Sequence, residues 1–134
     1  MNGKTFFDTN VLIYAALRND PRSQRAEELL ATGGVISVQV LNEFVSVARR
    51  KHQMPWGPLR TALQWIRILC PGIVPIKVET HEIAVTVAEK YAYRIYDSLI
   101  IAAALESKCG TLYSEDLQDG QLIDGRMTIR NPFR

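Results

Sequence analysis

Apolar residues recur along most of the chain at the spacing of one helix face, and short apolar runs separate these stretches. In VQVLNEFVSVARRK, for example, Val38, Leu41, Val45 and Ala48 lie at helical spacing, and Ser37 before them is a helix-capping residue type. The pattern predicts helices over residues 10–17, 22–31, 38–51, 54–70, 80–91 and 97–107. It predicts strands over residues 4–7, 35–36, 73–77, 111–113 and 128–130, the last of them at a sheet edge.

The order of these elements predicts the fold class. Helices and strands alternate along most of the chain, which favours a parallel sheet covered on both faces. The segment DSLIIAAALES, residues 97–107, is apolar around nearly its whole circumference, so this helix is expected to be buried on every side. Repeats, low-complexity tracts and linkers are absent from the sequence. We therefore predict one α/β domain over residues 1–134.

Composition narrows the classes of protein that fit. With 134 residues, 47% of them hydrophobic, the chain can bury one core. Its 16 basic and 14 acidic residues give a net charge of +2, too little for binding nucleic acid by charge alone. Neither a membrane-length apolar run nor a signal-peptide pattern is present, so a soluble, cytoplasmic protein is expected. Cys70 and Cys109 are too few for a disulfide framework or a zinc quartet.

Four acidic residues occupy positions that solvent exposure alone does not explain. Asp8 directly follows the first strand, and Asp116 follows the strand Thr111–Tyr113. Asp97 begins the most apolar helix, and Glu43 lies on a helix stripe with apolar neighbours. In open parallel sheets, functional groups gather beyond the carboxyl ends of the strands. We therefore expect these four carboxylates to converge at one edge of the sheet.

Converging carboxylates repel, and a divalent cation can neutralise them. Two unit charges ~4 Å apart cost about 4 kcal/mol at an effective dielectric near 20. Oxygen ligands suit Mg²⁺ or Mn²⁺, which can activate water for attack on a phosphodiester. Each acid also has a structural alternative, since Asp8 and Asp97 can cap helices, Asp116 is a turn residue type, and Glu43 can reach solvent. The functional interpretation depends on all four together.

The sequence resembles a known family in the segments that carry these acids. FFDTNVLIYAAL at the start, Glu43 on the helix after the second strand, and YDSLIIAAALESKCGTLYSEDLQDG near the end are together similar to PIN domains, and most similar to VapC-type toxins of bacterial toxin–antitoxin pairs. The resemblance implies an α/β/α sandwich with a mainly parallel central sheet of about five short strands. It also implies a Mg²⁺- or Mn²⁺-dependent endoribonuclease that forms a homodimer and is blocked by a cognate antitoxin.

The resemblance also assigns roles to individual residues. The family's catalytic and metal-binding acids correspond to Asp8, Glu43, Asp97 and Asp116. We expect the three Asp residues to ligate metal directly and Glu43 to hold a ligand water or a second ion. Supporting positions correspond to Asn10 and Ser114, with Asp119 near enough to be an outer or substitute ligand. His52 and His81 offer no better base, because one follows a basic run and the other lies in the first turn of a helix.

Partner-binding residues are less well defined by the sequence. RNA contact is assigned to Arg49, Arg50 and Lys51, or to a strip of Arg18, Arg22 and Arg25, although solvated helix ends explain both clusters equally well. Trp56 and Trp65 are either interface anchors or residues buried in the monomer.

Other classes of protein fit less well. A phosphatase of the haloacid dehalogenase type needs an Asp where Asn10 stands, and a response-regulator receiver needs an acidic pair where Asp8 stands alone. The remaining alternative is a PIN-like fold that only binds RNA or protein.

Overall fold

The structure is a computed structural model that describes residues 3–134, so the first two residues of the predicted domain lie outside it. The described chain contains helices α1 to α6 at Thr9–Ala16, Ser23–Ala31, Val38–Arg50, Trp56–Leu69, Val78–Tyr91 and Ile95–Glu106. Strands β1 to β6 lie at Thr5–Phe7, Ile36–Ser37, Ile73–Val74, Thr111–Tyr113, Leu122–Ile123 and Met127–Arg130. Most predicted elements agree with these bounds within two residues at each end.

The strands form a mainly parallel sheet. The order β1-β4-β6-β5 is parallel except for the last pair, and β2 pairs in parallel with β3. A parallel bridge between Phe6 and Val35 joins the two groups, since Phe7 N donates to Val35 O at 3.0 Å and Val35 N donates to Thr5 O at 2.8 Å. The predicted fold class, α/β with a mainly parallel sheet, is confirmed, although the structure has one strand more than the expected five.

Helix α6 is the central core helix, as its apolar circumference predicts. All eight residues from Ser98 to Leu105 are buried. The helix begins at Ile95, two residues before the predicted start, and Arg94 is its N-cap. Asp97 therefore lies in the first helical turn, and the interpretation of this residue as an N-cap is wrong. No helix in residues 3–134 is both long and apolar enough to cross a membrane.

The last strand, β6, is not at the sheet edge, which corrects the prediction. It pairs with β4 on one side and with the antiparallel β5 on the other. Strands β5 and β6 form a hairpin through Asp124 and Gly125, whose φ angles of 51° and 66° are both positive. Asp-Gly between two apolar runs is a strong hairpin signal, and β5 was missed because only two residues precede the turn in the strand.

Strand β3 ends three residues earlier than predicted. Pro75 follows Val74, and a proline has no N–H to continue the ladder. Helix α5 then begins at Val78, where Lys77 N donates to Thr80 Oγ1 at 3.1 Å and so satisfies a donor at the helix start. Ser37 caps α3 as predicted, accepting from Val40 N at 3.3 Å.

Candidate active site

The four predicted acids line one open cleft at the carboxyl edge of the sheet. Asp8 follows β1, and Asp116 lies three residues beyond β4, the parallel neighbour of β1. Glu43 faces the cleft from α3 and Asp97 from the first turn of α6. The cleft has a volume of about 380 Å³. The convergence predicted from sequence is therefore present.

Asp8 is the most buried of the four acids, with 7% of its surface exposed. It is the N-cap of α1, and one carboxylate oxygen accepts from Thr9 N at 2.6 Å. The other oxygen accepts from Ser114 Oγ at 2.7 Å. Burial raises the pKa of Asp8 to about 6, with a further contribution from the charges of Asp116 and Asp97, although both hydrogen bonds oppose the rise. The capping role and the cleft position thus coexist in one side chain.

Glu43 is half-buried beside Asp8. Burial raises its pKa to about 7, followed by repulsion from the Asp8 charge, and the more distant Asp97 and Asp116 add to the rise. Thr9 Oγ1 donates to Glu43 Oε2 at 3.3 Å, which opposes the shift. Glu43 is thus partly shielded from solvent and lies among the other acids of the open cleft.

Asp97 and Asp116 complete the cleft nearer to solvent. Burial raises the pKa of Asp97, and the Arg94 guanidinium, 3.8 Å away, opposes that rise. Asn10 Nδ2 donates to Asp116 Oδ2 at 2.8 Å. Asn10 and Ser114, predicted as supporting residues, therefore each hold one of the acids.

Asp119 lies away from this cleft. Its carboxylate accepts from Asn131 N at 2.8 Å and lies 3.8 Å from the Arg134 guanidinium, so it ties the loop to the C-terminal segment. It does not line the cleft in the structure. Its assignment as an outer or substitute ligand gains no support from this position.

Helix α3 supplies a polar wall that the sequence analysis missed. Gln39, Asn42 and Ser46 line the cleft on the same stripe as Glu43, and Arg50 extends that stripe to the end of the helix. Gln39 and Ser46 lie four residues before and three after Glu43, and Asn42 lies three after Gln39, so helical spacing along this face was the signal that could have identified them. Tyr96, 64% exposed, also lines the cleft and directly precedes Asp97 in α6.

The predicted basic residues separate into different environments. Arg50 lines the cleft, whereas Arg49 stacks over Trp56 at 4.5 Å and donates to Met54 O at 3.0 Å. Lys51 is exposed at the C-cap of α3.

The alternative strip of Arg18, Arg22 and Arg25 does not line the cleft. Arg22 pairs with Asp20, and Arg25 Nε donates to Pro132 O at 3.2 Å, so both are engaged within the chain.

A second, mostly apolar cavity lies between α1, α2 and α4. Its volume is about 850 Å³, and Leu12, Ala16, Leu30 and Ile66 are among its lining residues. Trp65 lines it and is 61% exposed. We call this cavity the apolar groove.

Trp56, 53% exposed, does not line the apolar groove. Burial in the monomer explains neither this tryptophan nor Trp65.

The fold and the cleft define the class of protein. The PIN domain family model matches residues 5–118, which include all four acids, and the chain belongs to this family. Comparison with curated proteins found no match.

Solved structures share the fold along most of the chain. A toxin–antitoxin complex from Klebsiella pneumoniae has 22% identity and a TM-score of 0.72, over 97% of this chain and 98% of that one. Mycobacterium tuberculosis VapC20, a sarcin–ricin-loop-cleaving toxin, has 19% identity and a TM-score of 0.70, over 84% and 90% of the two chains. DNA-bound VapBC from Salmonella typhimurium has 18% identity and a TM-score of 0.68, over 97% and 98%. The predicted membership of the PIN family is confirmed, and the chain shares its fold with solved VapC toxins.

Proposed function

We propose that this protein is a divalent-cation-dependent endoribonuclease and the toxin of a toxin–antitoxin pair. The observation that carries the proposal is the convergence of Asp8, Glu43, Asp97 and Asp116 on one cleft. Three of these carboxyls have a raised pKa, so each is poorly solvated or repelled in the free protein. A structural role alone gives no reason to retain such repulsion.

The donor set fits Mg²⁺ or Mn²⁺, because the four acids supply only oxygen. In residues 3–134, no group of three or more Asp, Glu, His or Cys is arranged to hold a metal ion as it stands. We assign Asp8, Asp97 and Asp116 as direct ligands, which requires their side chains to draw together, and Glu43 as the holder of a ligand water or a second ion. When bound, the cation supplies a Lewis acid that activates water and offsets charge on the phosphate.

Hydrogen bonds within the protein orient the acidic side chains of the cleft. Ser114 and the Thr9 amide fix the orientation of Asp8, and Asn10 fixes that of Asp116. In the cation-free protein the pKa of Glu43 is about 7, and a cation held by the neighbouring acids would favour its ionised form, which can accept a hydrogen bond from a ligand water. His52 and His81 do not line the cleft, so they take no part in this account.

RNA contact is assigned to the rim of the cleft. Arg50 lies at one end and can pair with a phosphate, while Gln39 and Asn42 can hydrogen-bond base edges or riboses. Tyr96 presents an exposed ring on which a base can stack. The net charge of +2 favours recognition through such local contacts over bulk electrostatics. With RNA as substrate, the expected location is the cytoplasm.

The apolar groove is the surface we assign to the antitoxin. The Klebsiella and Salmonella relatives are toxin–antitoxin complexes, and a groove lined by aliphatic residues with the exposed Trp65 at its margin suits an apolar helical segment. The homodimer that the family resemblance implies is tested separately, by the mass of the protein in solution.

Two tryptophans of similar exposure provide a matched test of this surface. Trp65→Ala should weaken antitoxin binding by at least about 2 kcal/mol, the level typical of an aromatic hot spot. Trp56→Ala, outside the groove, should leave the dissociation constant unchanged. Calorimetry with the purified antitoxin measures both. Equal effects of the two substitutions, or loss only with Trp56→Ala, would place the interface elsewhere.

Two acids in one loop test the nuclease assignment. Asp116→Asn should lower RNA cleavage at least ~10- to 100-fold, the cost of losing even an outer-shell partner of a metal ligand. Asp119→Asn should stay close to the wild-type rate, because Asp119 holds Asn131 and lies outside the cleft. The rates are measured with purified variants on the same structured RNA. Cleavage that survives Asp116→Asn would remove Asp116 from the site, whereas RNA binding without any cleavage by the wild type would favour a binding module.

A further inference from the structure

Helix α1 holds two consecutive residues of the loop that follows β4. Asn10 binds Asp116 through its side-chain amide, and Tyr14 donates its hydroxyl hydrogen to Glu115 Oε1. Asn10 and Tyr14 differ by four residues, so they lie one above the other on the same helix face. The loop is thus fixed to α1 at both positions, one inside the cleft and one outside it.

Arg22 secures Glu115 from the other side. Its Nη1 donates to Glu115 Oε2 at 3.0 Å, and its Nε and Nη2 donate to the two oxygens of Asp20 at 2.9 Å each. The same guanidinium lies 3.8 Å from the centre of the Tyr14 ring. We call Tyr14, Asp20, Arg22 and Glu115 the Glu115 clamp.

The side chains of the Glu115 clamp are held in place by packing and by partly shielded hydrogen bonds. Tyr14 is buried, and its ring packs edge-on against Phe133 with the centroids 5.1 Å apart. The side chains of Glu115 and Asp20 are 24% and 17% exposed, so these charge-assisted hydrogen bonds are partly shielded from water. Glu115 itself does not line the cleft. Its two neighbours in the chain do belong to the cleft, because Ser114 binds Asp8 and Asp116 is one of the four acids. Holding Glu115 in place therefore also holds Ser114 and Asp116.

We infer that Tyr14 and Arg22 are positioning residues, which act through Glu115 to hold Ser114 and Asp116 where the cleft binds its divalent cation. The inference rests on the proposed function and extends it to residues remote from the cleft. Loosening the clamp frees the loop to sample other geometries, so the cation must then order it on binding. The expected effect is weaker cation binding with an unchanged fold.

Tyr14→Phe tests the inference, because it removes one hydroxyl and alters no charge. We expect the Mn²⁺ dissociation constant, measured by calorimetry without RNA, to rise about five- to tenfold, near the lower end of outer-shell effects. Saturating Mn²⁺ should restore most of the cleavage rate. Arg22→Lys keeps the positive charge but loses the several N–H donors of the guanidinium, so it should also weaken Mn²⁺ binding. This variant replaces Tyr14→Phe in the test if Tyr14→Phe does not fold.

Tyr91→Phe is the matched control. The Tyr91 hydroxyl also donates to a carboxylate, Asp124 Oδ1 at 2.7 Å, but this pair lies outside the cleft. Its loss should lower thermal stability without changing Mn²⁺ affinity. Equal Mn²⁺ affinities for the wild type, Tyr14→Phe and Arg22→Lys would overturn the inference and leave the proposed function intact. A wild-type protein that neither binds Mn²⁺ nor cleaves RNA would overturn both.

Discussion

Replacing Asp97 with Asn should abolish RNA cleavage and raise the melting temperature of the protein. Asp97 lines the cleft with three other acids, and burial together with the nearby Asp116 charge raises its pKa. The amide removes a charged ligand, which should lower the rate by at least about 100-fold, since losing even an outer-shell partner costs ~10- to 100-fold. It also removes repulsion among the carboxylates, which stabilises the cation-free fold.

Glu79→Gln is the matched control for this substitution. Glu79 lies in the first turn of α5 as Asp97 lies in the first turn of α6, so each loses a similar favourable interaction with its helix dipole, about 0.3–1 kcal/mol. Glu79 is exposed and outside the cleft, so its variant should cleave normally and melt slightly lower. Substantial residual cleavage by Asp97→Asn would remove Asp97 from the site. A lower melting temperature would show that repulsion at Asp97 is too weak to matter.

The cation-free protein should lose stability as the pH rises from 5 to 8. The pKa of Asp8 is raised to about 6 and that of Glu43 to about 7, from 3.8 and 4.5. Between the ordinary and the raised pKa values, the folded state therefore holds protons that the unfolded state has released. The stability of the folded state is greatest at low pH and falls as the pH rises through the raised values. When the contribution of the half-buried Glu43 is reduced for solvent screening, the free energy of unfolding falls by about 2 kcal/mol between pH 5 and 8. For a chain of this size that is roughly 5–10 °C in melting temperature.

Thermal melts in EDTA across this pH range measure the effect. Asp8→Asn and Glu43→Gln should each flatten the profile, because each removes one of the titrating groups. Added Mg²⁺ should raise the wild-type melting temperature most at pH 8, where the carboxylates are ionised and free to bind it. A wild-type profile no steeper than those of Asp8→Asn and Glu43→Gln would show that these acids do not carry the pH dependence.

The fold was largely predictable because the spacing of hydrophobic residues along the chain indicates helices and strands directly. Helix α6 is apolar on all sides and its residues from Ser98 to Leu105 are all buried, and Ser37 caps α3 as its residue type indicates. The errors at β5 and β6 arose because the pairing of strands in the folded protein determines these two elements. Strand β5 is only two residues long and exists because the Asp124-Gly125 turn folds it back on β6, which in turn places β6 inside the sheet.

The candidate site was predictable to the extent that sheet geometry brings strand ends together. Asp8 and Asp116 follow parallel neighbours, so their proximity needs only the strand order. Asp119 shows the limit of sequence distance: three residues beyond Asp116, it turns away to bind Asn131. The Glu115 clamp had no sequence signal, because Tyr14, Arg22 and Glu115 meet only when α1, the start of α2 and the β4 loop are packed together.

The most direct test of the central claim is cleavage of structured cellular RNA by the purified, antitoxin-free protein. The reaction is run with Mg²⁺ or Mn²⁺, with EDTA, and with an Asp8→Ala variant whose folding is checked by its melting curve. Our account predicts discrete cuts that require the cation and disappear both in EDTA and with Asp8→Ala. Cuts that persist in EDTA or in the folded Asp8→Ala variant would contradict a cation-dependent nuclease centred on this cleft.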